Sequence, residues 1–439
     1  MPRRARIAGG AAIAAATTVV VLFAGVLTDG PSAPGPAEGG TAHGLVAGTR
    51  ASTVGTEGAV TRLEKQVASH PQDADALAEL GLSYEQRARE TADPSFYGRA
   101  EAALRRAQQL EPRSYEAATG LASLAASRHR FRTAAALARR ARGFAPSRAA
   151  AYGILGDALV ELGRYRAGFA TFDRMAALEP NLAAYTRISY ARELLGRPRA
   201  AASAMRVAVQ AGSASPENVG WTLVQLGNLF FDTGRPAKAE AAYRTALAAD
   251  PGYAHAQAGL ARVLAARGRF DAAVHLLRRA VTAVPLPQYA IALGDTLRAA
   301  RRPAAASRAD GLVDVLERLF AANGARTELE TALFDLDHRR NVRDALRRAQ
   351  VAYRAAPSIQ AEDVLAWALY RNGRCDEALE HSKRALRLGT LDALKIFHRA
   401  AIERCLGDDT GAKRLFRRAL AVNPSFSLRW APVARRAIR

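Results

Sequence analysis

The stretch Tyr152-Gly153-Ile154-Leu155-Gly156-Asp157-Ala158-Leu159, followed by Leu162-Gly163-Arg164-Tyr165, Phe169, Phe172 and Glu179-Pro180, alternates small and large apolar residues at helical spacing. A glycine inside each apolar run lets a second helix approach, and Gly163 sits where a helix ends because a left-handed backbone is cheap only for glycine. Pro180 closes the unit, since a mid-helix proline would cost ~3 kcal/mol. Prolines carry the unit outward in both directions: Pro112, Pro146 and Pro180 are 34 residues apart, as are Pro251 and Pro285. Pro180 to Pro251, Pro285 to Pro357 and Pro357 to Pro424 each span close to two periods, and Pro71 to Pro112 spans one period plus seven residues.

The same plan recurs in Leu226-Gly227 with Phe230, Gly234, Ala239, Tyr243, Ala246 and Asp250-Pro251, and in Leu80-Gly81 with Tyr84, Ala100, Leu104, Ala107 and Glu111-Pro112. In this order and at this period the pattern resembles the tetratricopeptide repeat, a 34-residue helix-turn-helix, from about Ala74 to Pro424. The resemblance implies an all-α solenoid, a right-handed superhelix of about ten repeats. Neither helix of a pair can bury its face alone, so neighbours must stack into a quasi-one-dimensional array. Repeats are expected to begin near Ala74, Tyr115, Ala149, Leu182, Gly220, Ala254, Pro287, Arg326, Ile359 and Ala393. The seventh is irregular: Asp310 and Gly311 stand where a large apolar residue belongs, and Pro303 to Ala322 reads as one overlong helix. A lone helix over Ala59 to His70 opens the solenoid of residues 59–424, and residues 425–439 form a short capping helix with Trp430 over the last apolar face.

The chain has 439 residues, too long for one small core and consistent with an array. Its 63 Lys and Arg against 41 Asp and Glu give a net charge of +22, with 49% hydrophobic residues, enough to exclude a disordered polycation. Arginine and alanine are in excess, as in high-GC bacteria, and the resemblance extends to membrane-anchored or secreted repeat proteins of such organisms. Ahead of the repeats, residues 1–27 carry Arg3-Arg4-Ala5-Arg6 and an uncharged run from Ile7 to Leu27 that spans about 31 Å as a helix, enough for a bilayer core. This fits a signal anchor or, because its strongly apolar part is only Val19 to Leu27, a cleaved signal peptide; an incidental buried segment is the third reading. In the first two cases the repeats lie outside the cytoplasm, on the cell membrane or secreted. Residues 28–58 are rich in Gly and Pro and read as a flexible linker with a reach of about 30 Å.

No catalytic constellation emerges, and no cofactor is implied. The eight histidines are scattered and each reads as an isolated surface residue. Asp335-Leu336-Asp337-His338 points its groups in different directions along a helix and reads as no site. Cys375 at the start of one helix and Cys405 near the end of another fall at adjacent ends of an antiparallel stack; a disulfide and two free buried thiols both remain open.

The resemblance implies that first helices line a concave groove. Its positions hold the aromatics Tyr190, Trp221, Phe231, Phe334, Trp367, Tyr370 and Phe397. They also hold acids including Asp157, Glu161, Glu193, Asp232, Asp295, Glu330, Asp337 and Asp363, and only a few cations. Arginine pairs such as Arg105-Arg106, Arg139-Arg140 and Arg278-Arg279 fall instead on the second helices. Two readings follow: solvated helix surface with aromatics packing between repeats, or a groove for a partner protein or peptide with basic side chains. The leading expectation is a membrane-tethered, non-catalytic adaptor. The alternative is a polyanion binder of anionic lipid, wall polymer or nucleic acid through the convex arginines; nucleic acid is the least favoured partner because few aromatics interleave.

Overall fold

A computed structural model describes residues 55–212 and 216–439. The apolar run 7–27 and most of the 28–58 linker lie outside the described residues. Among those described, every regular element is a helix. Helix α1 (Thr56–Ser69) precedes ten antiparallel pairs. These are α2 (Ala74–Thr91) with α3 (Phe96–Leu110), α4 (Tyr115–Ser127) with α5 (Phe131–Phe144), and α6 (Ala150–Glu161) with α7 (Tyr165–Leu178). Next come α8 (Leu182–Leu194) with α9 (Pro198–Ala211), α10 (Pro216–Asp232) with α11 (Pro236–Ala249), and α12 (Ala254–Ala266) with α13 (Phe270–Ala283). The last four are α14 (Pro287–Ala299) with α15 (Pro303–Ala322), α16 (Glu328–His338) with α17 (Val342–Ala355), α18 (Ile359–Arg371) with α19 (Cys375–Ala385), and α20 (Ala393–Cys405) with α21 (Asp409–Val422). Helix α22 (Trp430–Ala437) ends the series.

Local chemistry sets these boundaries. Asp73, Ser114, Asn181, Ser358, Asp392 and Asp408 each accept a hydrogen bond from a first-turn amide, and prolines open α9, α10, α11, α14 and α15. Three boundaries differ from the sequence reading. Helix α1 starts at Thr56, so the linker gives up its last residues; α10 starts at Pro216 rather than Gly220, with proline at its first turn; α22 starts only at Trp430, behind a non-helical lead-in. The extra residues of the first repeat lengthen α2 and its turn. In α15, Asp310 replaces an apolar residue because it faces Arg298, with which it pairs.

The core repeats with the sequence. The alanines that open and close the packed face of each second helix, from Ala100 and Ala107 to Ala412 and Ala419, are at most 1% exposed, apart from the partly buried Ala352. A Cβ on Gly156 would enter the Phe172 ring, and one on Gly227 the Tyr243 ring, so each glycine fixes how closely its pair packs. Cys375 opens α19 and Cys405 closes α20; their Cα atoms are 6.3 Å apart and their sulfurs are joined in a disulfide.

The superhelix closes on itself, which the sequence pattern does not announce. Tyr165 Oη accepts the amide of Ile359 at 2.6 Å, 194 residues away. Asn423 Nδ2 donates to the carbonyl of Phe231, 192 residues away, at 2.8 Å, and Arg132 donates to the carbonyls of Arg354 and Ala355. The first two separations are between five and six 34-residue repeats and those of Arg132, 222 and 223 residues, between six and seven, so the eighth to tenth repeats and the C-terminal segment sit on the second to fifth. Two turn glycines explain how the backbones fit. Gly163 and Gly196 have φ of +72° and +66°, and a Cβ there would collide with the carbonyls of Pro357 and Gly389.

Candidate binding groove

The first helices line the concave side, as the repeat requires, but coiling turns much of that side into an interior. Trp221, Phe231, Phe334, Trp367 and Phe397 are all less than a tenth exposed, and only Tyr190 and Tyr370 keep partial access. The five buried aromatics are therefore packing residues rather than open anchors. Phe231 lies under Arg262, and Trp367 stacks on Tyr370 at 4.8 Å and on His398 at 4.1 Å. Large rings at these positions fill the space between neighbouring first helices that the second helices, with their alanines, leave open.

Asp157 and Asp232 pair internally with arginines, and Asp363 meets the ring of His398. Arg187 Nη2 meets Asp157 Oδ2 at 2.7 Å with both groups buried, Arg262 meets Asp232 at 2.6 Å, and His398 Nδ1 lies 3.1 Å from both oxygens of Asp363. A chamber of about 140 Å³ lies between the two superhelical layers, and Asp157 and Asp232 reach it as well. At ~10–15 Å³ per water that is room for on the order of ten waters. Its walls include Glu161, Tyr190 and Glu193 on one side and Glu330, Gln360, Asp392 and Lys395 on the other. Burial pushes Glu161 up to about 7 against a hydrogen bond from Ser358, and pushes Glu330 up to about 7. Glu193 rises to about 8 through burial and then the nearby carboxylates Asp232 and Asp392, opposed by Lys395. Lys395 Nζ donates to Gln360 Oε1 at 2.7 Å and pairs with Asp392. Burial opposes its charge, but Asp392, Asp363 and Glu193 together outweigh that cost and raise the Lys395 pKa above its ordinary value.

Several functional side chains escape sequence reasoning. The histidines are not uniformly surface residues: His398 is fully buried, and His338 lies 3.1 Å from Asp295, its pKa pushed down to about 3 by burial and by Arg429. Asp337, in the tetrapeptide read as inert, accepts the indole N–H of Trp367 at 2.9 Å and that of Trp430 at 3.1 Å. Arg187 and Lys395 carried no positional signal, because Arg187 reaches Asp157 and Lys395 reaches Gln360 in the preceding repeat, while Trp430, expected over the last apolar face, also bonds to Asp337. Among the described residues no group of three His, Cys, Asp or Glu side chains is arranged to hold a metal, and no helix is long and apolar enough to cross a membrane.

Sequence models of the tetratricopeptide repeat match residues 230–296 and 363–390. No curated protein sequence matches the chain. Among solved structures the chain is similar to one titled "Crystal structure of APC/C hetero-tetramer Cut9-Hcn1", at 12% identity and a TM-score of 0.34, over 88% of this chain and 93% of that one. A likeness that loose carries no argument about partners. Residues 230–296 and 363–390 carry tetratricopeptide repeats, and the ten helix pairs among the described residues stack in the same helix-turn-helix plan and in the phase read from the prolines.

Proposed function

We propose that the chain is a non-catalytic scaffold that holds a partner protein or peptide on its concave side, tethered outside the cytoplasm by the apolar run Ile7 to Leu27 or released there after cleavage. Repeats of this family build surfaces for protein contact, and the observation that carries the reading is the unbroken series of ten helix pairs sharing one concave wall. That wall supports a partner with basic side chains. Glu161, Glu193 and Glu330 keep partial access to the chamber, and a cation arriving beside them would restore their ionised form and gain a charge-assisted contact. Proximity labelling from a C-terminal fusion, combined with external protease treatment of intact cells, tests the proposal. A reproducible protein neighbour and cleavage of the repeats are expected. Repeats protected from external protease would refute the location, and the absence of any enriched protein neighbour would refute the scaffold role.

A further inference from the structure

Helix α22 packs beside α21 where the first helix of another repeat would lie, but the residues leading into it cross the concave face. Trp430 stacks on Phe397 at 5.2 Å and meets Trp367 edge-on at 5.4 Å. Its indole N–H donates to Asp337 Oδ1, 93 residues away. Arg429 lies against the Trp430 ring at 5.3 Å and donates to His338 Nδ1 at 3.2 Å. Behind this pair sits Asp295, 1% exposed, whose Oδ2 has no hydrogen-bond partner. An arginine and a tryptophan of the chain itself thus occupy the face formed by α16, α18 and α20, against the aromatics that the repeat pattern assigns to the concave groove.

Resting on the scaffold reading above, we propose that the concave face of the eighth to tenth repeats is a docking site for a partner segment bearing an arginine beside a tryptophan, and that Arg429-Trp430 fills it in the partner's absence. The chemistry of the occupant defines the chemistry of the partner. An aromatic slot between Trp367 and Phe397 takes an indole, Asp337 takes its N–H, and the buried carboxylates Asp295 and Asp337 favour a guanidinium. Trp430 and Arg429 are only partly buried, so these two side chains can give up the site while Phe426, Ala431 and Ala434 beside them stay in the core.

The test adds a labelled peptide of residues 424–439 in trans to the full chain and reads fluorescence anisotropy. Wild type should bind it weakly because its own segment competes. Arg429→Ala and Trp430→Ala chains should bind it about tenfold more tightly, by relief of that competition. The gain should vanish when the peptide's own tryptophan is replaced by alanine. Equal binding by wild type and by a folded Arg429→Ala chain, with helicity checked by circular dichroism, overturns the proposal even where Trp430→Ala fails to fold. Dimers of the wild-type chain that Trp430→Ala abolishes would assign the site to a second copy and overturn the partner assignment. Loss of peptide binding alongside a persistent neighbour in proximity labelling defeats this inference and leaves the scaffold reading standing.

Discussion

Replacing Glu193 with Gln keeps the size of a side chain in the chamber wall and removes its charge. Glu193 titrates near 8 in the folded chain, against an ordinary value of 4.5, because burial and then Asp232 and Asp392 disfavour its carboxylate. Below pH 4.5 the group is protonated whether the chain is folded or not, and it costs nothing. As pH rises from 4.5 through 8 the unfolded chain ionises first, the folded chain binds more protons, and stability falls. At ~1.4 kcal/mol per unit the full shift corresponds to ~5 kcal/mol, and contact with chamber water reduces this to an expected ~2 kcal/mol. Glu193→Gln should therefore match wild type in thermal or urea melts at pH 5 and exceed it at pH 8, with a shallower pH slope between them. Identical melts at both pH values would refute the claim that Glu193 faces an enclosed, acid-lined interior.

Other substitutions separate packing from coiling. Gly196→Ala should cost about 1–2 kcal/mol for its left-handed backbone and more for the lost approach to Gly389, whereas Gly373→Ala, at φ +77° with open space around it, should cost the first part alone; urea melts of the two compare them. Trp367→Ala should destabilise the C-terminal repeats by about 3–5 kcal/mol, read as lower protection of α18 and α20 in hydrogen exchange, since Trp367 is 1% exposed and packs against four rings. Removing the Cys375–Cys405 bond with a Cys375→Ser, Cys405→Ser chain should cost about 3–4 kcal/mol for a loop closed across 30 residues, and peptide mapping of the unreduced wild type should find the two joined.

The repeat plan was legible because it is local. Prolines, turn glycines and the paired alanines act within one helix pair, and they located the helices to within a few residues. Even so, three turns carry His129, Arg301 and Arg339 at positive φ where the pattern led us to look for glycine. The coiling was not legible, because it accumulates from small rotations between neighbours that no single residue encodes. Gly163 and Gly196 look like ordinary helix stops, and their second role against Pro357 and Gly389 emerges only when repeats nearly two hundred residues apart meet. The concave aromatics were found by position, and of the two readings left open for them the packing of rings between repeats describes Trp367 and Phe397, which His398 and Trp430 of the neighbouring elements cover.

The closed superhelix depends on the stacking of the ninth repeat upon the third, and the amide of Ile359 reports it directly. As the first residue of α18 it lacks an intrahelical acceptor, and its hydrogen bond runs to Tyr165 Oη instead. Residue-resolved hydrogen exchange should find this amide protected well beyond a free helix N-terminus, with the protection lost in Tyr165→Phe. Exchange of the wild-type amide at the rate of an open helix end would show that the layers do not touch and would contradict the closed superhelix.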